Sequence, residues 1–165
     1  NSIAGLLKNA PDFLSFYASH SNSYRRLVHN ADHAPTTLSW GNENRTALVR
    51  LPEASSKATR LEFRLPSADS NPYLVFAAIL SSVLSGITNK YPLNKETIGN
   101  AHVQHEAALG ITWREAVQKT SESPVVKEFF GEKFQKSYQC VKESEIKRFE
   151  STITDFEYNS YLRHL

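Results

Sequence analysis

The chain has 165 residues, 40% hydrophobic and 22% charged, with nineteen basic against seventeen acidic residues and a formal charge of +2. That is enough apolar chain for one packed domain and too much for a disordered one. The near-balanced charge names no nucleic-acid or membrane partner, the longest apolar run (near Tyr73–Leu80) is too short to cross a bilayer, and a lone Cys140 excludes an internal disulfide framework and a Cys-based zinc site.

The chain opens on Asn1–Lys8, which reads as a helix already under way, and it contains no methionine. A piece of a longer protein is therefore expected, and the single cysteine predicts a reducing, cytoplasmic setting. Residues 1–18 are predicted helical, with a turn-rich stretch from Pro11. Residues 19–44 are polar and rich in Asn, Asp, Ser, Pro and Gly, a composition that predicts loops. Arg45–Leu51 and Arg60–Leu65 read as two strands, each ending at a proline and joined by the polar loop from Glu53 to Thr59.

From Asn71 the period becomes helical. Asn71-Pro72 is an N-cap followed by proline at the first helical position, and the helix continues to Gly86. It is apolar nearly all round, which predicts burial on most sides, including contact between Tyr73–Leu84 and the apolar face of the second strand. Residues 88–111 are predicted as loop. Thr112-Trp113-Arg114-Glu115 is a capping-box pattern, Ser123-Pro124 opens another helix, and Gly131–Ser151 is a long amphipathic helix carrying Phe134, Tyr138, Val141, Glu145 and Phe149. Cys140 on that helix reads as a small buried residue. Thr154-Asp155-Phe156-Glu157 is a second capping box. The fold class expected is α+β: antiparallel strands backed by helices, with a helical C-terminal half.

Charge is concentrated in one window. Six of the nine arginines (Arg25, Arg26, Arg45, Arg50, Arg60 and Arg64) lie between residues 25 and 64, with Lys57, against only Asp32, Glu43, Glu53 and Glu62. On a regular strand Arg60, Glu62 and Arg64 share one face and Leu61, Phe63 and Leu65 the other. Taken alone the triplet reads as a solvated strand face with an ion pair, worth little in stability. The alternative is an anion site, in which guanidiniums from two strands and Lys57 converge on phosphate or carboxylate oxygens and Glu62 holds a divalent metal. Such a kit suits phosphoryl transfer, although the chain has no Walker or GxGxxG pattern. Nucleic-acid binding, with Tyr24 and Trp40 as stacking platforms, is the weaker rival, because the cluster has an acid at its centre. The histidines His29, His33, His102 and His105 offer no metal-binding pair at i, i+4 on a clear helix.

Four motifs carry a resemblance. Asn22-Ser23-Tyr24-Arg25-Arg26-Leu27-Val28 resembles the glutamine synthetase motif N-S-Y-[KR]-R-L-V. Asn44–Pro52 resembles its N-R-S-A-x-[IV]-R-[IV]-P. Ser56–Pro66 resembles S-x-K-A-x-R-[IL]-E-x-R-x-P with one residue fewer before the lysine, and Asn71-Pro72-Tyr73-Leu74 resembles the N-P-Y-L that follows. The resemblance implies the C-terminal part of a glutamine synthetase catalytic domain over residues 1–165, without the family's N-terminal β-grasp domain and upstream catalytic strands. It implies an ATP-dependent ligase of glutamine biosynthesis that activates the γ-carboxyl of glutamate as an acyl phosphate and passes it to ammonia. A γ-glutamylpolyamine ligase and a non-catalytic relative are the alternatives.

By the same resemblance Arg26, Arg64 and Arg45 contact glutamate, and Arg45 also reaches the transferred phosphoryl group. Arg45, Arg50, Lys57 and Arg60 contact ATP, and Glu62 ligates Mg2+ or Mn2+. The family's flap motif V-P-G-Y-E-A-P is replaced by Val28-His29-Asn30-Ala31-Asp32-His33-Ala34-Pro35, which leaves Asp32 or His33 in the catalytic flap position and puts ammonia as the acceptor in question. The implied assembly is a homo-oligomeric ring with the site shared between subunits, so the 165 residues alone are expected to be inactive.

Overall fold

The structure is a computed structural model that describes residues 1–30 and 34–162. Two helices set its frame. α1 (Ser2–Asn9) crosses α4 (Pro72–Thr88), whose Asn71 side chain accepts from the backbone N–H groups of Tyr73 and Leu74. The crossing is close because Gly5 and Gly86 meet. A Cβ on Gly5 would lie 2.1 Å from the Ser82 carbonyl oxygen, and one on Gly86 would lie 2.7 Å from the Gly5 Cα. Only hydrogen fits there, so main chain packs on main chain.

The other wall of the core is aromatic. α2 (Leu14–Tyr17) presents Phe16 to α7 (Pro124–Phe130) and α8 (Glu132–Glu150). Its ring lies 4.6 Å from Tyr138 edge-on and 5.2 Å from Phe130. α6 (Trp113–Glu122) begins with the predicted capping box, and its last carbonyls are met from below: the buried Gln135 donates to the carbonyls of Thr120 and Ser123, each at 2.9 Å. The second capping box starts α9 (Asp155–Tyr161).

A three-stranded sheet sits at one edge. β2 (Val49–Leu51) pairs in parallel with β1 (Trp40–Asn42) and antiparallel with β3 (Glu62–Phe63). The parallel pair is joined by residues 43–48 alone. A parallel return normally needs a longer crossover, but three-residue strands span only about 10 Å, so a short loop suffices. Asn44 fixes that loop: its amide donates to the carbonyls of Thr97 and Gly99, and its carbonyl accepts from the N–H and hydroxyl of Thr46.

Several expectations are corrected. The two predicted strands shorten to Val49–Leu51 and Glu62–Phe63, because Arg45–Leu48 belong to the return loop and Arg60 and Leu61 precede the ladder. The stretch 19–44 is not all loop: it contains α3 (Ser21–Arg26) and β1, whose strand character depends on a partner nine residues further along the chain. The segment 88–111 contains the short α5 (Ala101–Gln104), capped by Asn100.

α4 is not buried on most sides. Val75, Ala78, Ser82 and Gly86 are buried, whereas Tyr73 (84% exposed), Phe76, Leu80 (67%), Leu84 and Ile87 form an exposed apolar stripe. Phe63 of β3 packs edge-on against Tyr17 of α2, with ring centres 5.1 Å apart. On α8, Cys140 and Val141 are exposed, and the buried positions are Gln135, Lys142 and Ile146.

Candidate active site

The register of the sheet builds the charged cluster. Arg50 lies directly opposite Glu62, and Val49 directly opposite Phe63. Alternation then sends Val49 and Phe63 to the core and leaves the guanidinium and the carboxylate together on the other face. Arg50 Nη1 donates to Glu62 Oε2 at 3.0 Å, and Arg64 Nε lies 3.2 Å from Glu62 Oε1. Arg50 Nη2 donates to Glu43 Oε2 at 2.6 Å. The carboxylates are half exposed, while the Arg50 side chain is only 16% exposed. Its hydrogen bond to Glu43 raises the Arg50 pKa and in turn holds the Glu43 carboxyl below its ordinary range.

Arg64 does two jobs. Besides facing Glu62, its Nη1 donates to the carbonyls of Arg45 and Ala47, the latter at 3.2 Å, and so fastens the return loop between β1 and β2. Arg26 stands at the end of α3. Its Nη2 donates to the Leu65 carbonyl at 2.6 Å and to the Ser67 hydroxyl at 3.3 Å, and it lines a hollow of about 340 Å³ with Asn22, Ser67 and Asp69. Burial lowers the pKa of both Arg26 and Arg64, and the two cations also repel each other at Arg26.

Arg45, Lys57 and Arg60 are exposed and form no ion pair among the described residues. Lys57 sits on a single 3-10 turn, Ser56–Ala58, and Arg60 lies before β3. Asp32 and His33 lie outside the described residues.

Glu62 offers hard carboxylate oxygen, which suits Mg2+ or Mn2+, and each of its two oxygens keeps acceptor capacity beside its arginine. No group of three His, Cys, Asp or Glu side chains that could hold a metal occurs among the described residues, so Glu62 fits such an ion as a single ligand of a larger set.

A family model described as glutamine synthetase, catalytic domain, matches residues 1–161. The chain belongs to the glutamine synthetase family. It is 35% identical to the gamma-glutamylputrescine synthetase of Escherichia coli over 98% of this chain and 34% of that protein. It is 36% identical to type-1 glutamine synthetase 2 of Dictyostelium discoideum over 97% of this chain and 31% of that protein. The gamma-glutamylethanolamide synthetase of Streptomyces coelicolor is 34% identical over 94% of this chain and 33% of its own length. The chain thus spans about a third of the length of these curated relatives.

In this member of the family, sequence reading assigns no role to two groups. Glu43 is one of the acids of the basic window, and only the short parallel return carries its carboxylate to Arg50. His102 falls in the stretch predicted as loop. It is buried: its Nδ1 and that of His29 each lie 3.4 Å from the Thr36 hydroxyl, and burial first, His29 second, lowers its pKa. Neither spacing nor composition signals this pair. No helix among the described residues is long and apolar enough to cross a membrane.

Proposed function

We propose that this chain is the arginine-rich C-terminal part of an ATP-dependent ligase that joins ammonia to the γ-carboxyl of glutamate. The observation that carries the reading is the Arg50–Glu62–Arg64 cluster, in which one carboxylate is bracketed by two guanidiniums on one sheet face within the matched family domain. A carboxylate is a poor electrophile. Its oxygen attacks the terminal phosphorus of ATP, ADP departs, and the resulting acyl phosphate is open to nitrogen. Ammonia attacks the acyl carbon, phosphate leaves, and the amide nitrogen loses its proton.

In this reading Arg26 and Arg64 hold glutamate carboxylates. Arg45 contacts glutamate and the phosphoryl group in transfer. Arg50, Lys57 and Arg60 bind the nucleotide phosphates, where fixed positive charge lowers the barrier most. Glu62 would hold a divalent ion, which supplies screening between the triphosphate and the carboxylate. The exposure of Arg45, Lys57 and Arg60, and their lack of ion pairs among the described residues, support this assignment, since such cations remain available to an anionic ligand. The reading includes a homo-oligomeric ring whose remaining site residues come from outside these 165 positions, so the isolated chain does not turn over.

The test is glutamate-dependent phosphate release from ATP by the full-length protein, with ammonium and with putrescine as acceptors. Turnover with ammonium is expected. No glutamate-dependent release with either acceptor overturns the ligase reading. A second reading, γ-glutamylation of a polyamine or another amine, is favoured by the altered stretch Val28–Pro35 and by the two amine-ligase relatives. Activity with putrescine and none with ammonium would establish it over the first.

A further inference from the structure

We propose that Glu43 is a positioning residue that anchors the Arg50 guanidinium through Nη2, so that Arg50 keeps its place at the nucleotide site when Nη1 leaves Glu62. The inference rests on the ligase reading and adds to it a residue which that reading does not use.

Glu43 follows β1 directly. Its backbone adopts a left-handed φ of 50°, and its N–H donates to the Leu51 carbonyl at 3.0 Å. This turn lays the side chain back across β2. There the carboxylate is fixed at two points: Oε1 accepts the backbone N–H of Glu53, and Oε2 accepts Arg50 Nη2. A carboxylate held by a backbone amide is a rigid acceptor, unlike a long side chain in solvent.

The geometry at Arg50 shows what this does. Its guanidinium is shared between two carboxylates, Nη2 to Glu43 and Nη1 to Glu62. Its Nε is buried without a partner, so the arrangement does not maximise the arginine's own hydrogen bonds. An arginine facing a single carboxylate prefers a two-point fork, which commits both the guanidinium and the carboxylate. Here Nη2 is committed to Glu43 and Glu62 Oε1 faces Arg64 Nε, so Arg50 and Glu62 share a single contact. When Glu62 turns to another partner, Nη1 is released while Nη2 keeps the guanidinium in place. Arg50 is then preorganised toward an incoming phosphate oxygen.

The experiment uses the full-length protein and measures ATP affinity by calorimetry together with KM for ATP and for glutamate, in E43Q, E43D, R50A and E43Q/R50A. Loss of the Glu43 charge is expected to weaken ATP about tenfold, with KM for glutamate unmoved. E43D keeps the charge on a shorter arm, so it is expected to fall between E43Q and the parent protein; it also reports if E43Q fails to fold. In the R50A background E43Q should have no further effect, because Glu43 acts through Arg50. An E43Q loss that persists undiminished in R50A, or E43D and E43Q affinities equal to the parent while R50A is weakened, overturns the positioning role and leaves the ligase reading intact. Unchanged ATP affinity in R50A itself removes Arg50 from the nucleotide site and overturns both the inference and that part of the ligase reading.

Discussion

The helical core and the charged sheet edge solve opposite problems. At the α1–α4 crossing and along the Phe16 wall, position is fixed by volume: nothing larger than hydrogen fits at Gly5, and rings fill the space between α2, α7 and α8. At β2 and β3, position is fixed by charge and register, with Glu43 and Glu62 half exposed around Arg50. Packed regions tolerate little change in size, whereas half-solvated ion pairs contribute little to stability and can exchange partners when a ligand arrives. The chain therefore places its stability in one region and its candidate chemistry in the other.

Four changes break or sharpen that contrast. Phe16→Ala removes the centre of the aromatic wall and should cost roughly 3–5 kcal/mol in denaturant unfolding; a cost near zero would mean that the wall does not carry the core. Gly5→Ala drives a methyl into the Ser82 carbonyl and should cost about 2–3 kcal/mol by the same measurement, although alanine is the better helix former.

Glu62→Gln belongs to the other region. It should leave the unfolding midpoint nearly unmoved while lowering metal-dependent activity of the full-length protein by about 10–100-fold. A large fall in midpoint with unchanged activity would reverse the assignment of the sheet edge.

The smallest effect lies between the regions, at His102. Burial holds its folded pKa below the ordinary 6.5, so near and below that pH the unfolded chain binds the proton more readily than the folded one. Stability is full above pH 6.5 and declines as pH falls from there toward the folded value. His102→Asn should flatten this acid-side slope in unfolding curves recorded at several pH values; an unchanged slope would place the titration elsewhere.

Local signals translated well where they were self-contained. The Asn71 cap, both capping boxes and the Ser123-Pro124 start are satisfied within three or four residues, and each helix begins where its cap predicts. Alternation put Glu62 and Arg64 on one face, and the antiparallel register of β2 and β3 set Arg50 opposite Glu62. The exposed stripe on α4 misled for a different reason: apolar composition states that a face prefers burial, but not which neighbour is present to bury it.

The sequence by itself determined the starts of α4, α6, α7 and α9, the arginine-rich window and the motifs that tie the chain to its family, because all of these rest on residues close together in the chain. Only the tertiary structure decided that β1 runs parallel to β2, that two glycines set the crossing of α1 and α4, and that Glu43 reaches Arg50. Those outcomes depend on backbone approach and strand register between segments, and neither quantity is encoded in the identity of any one residue.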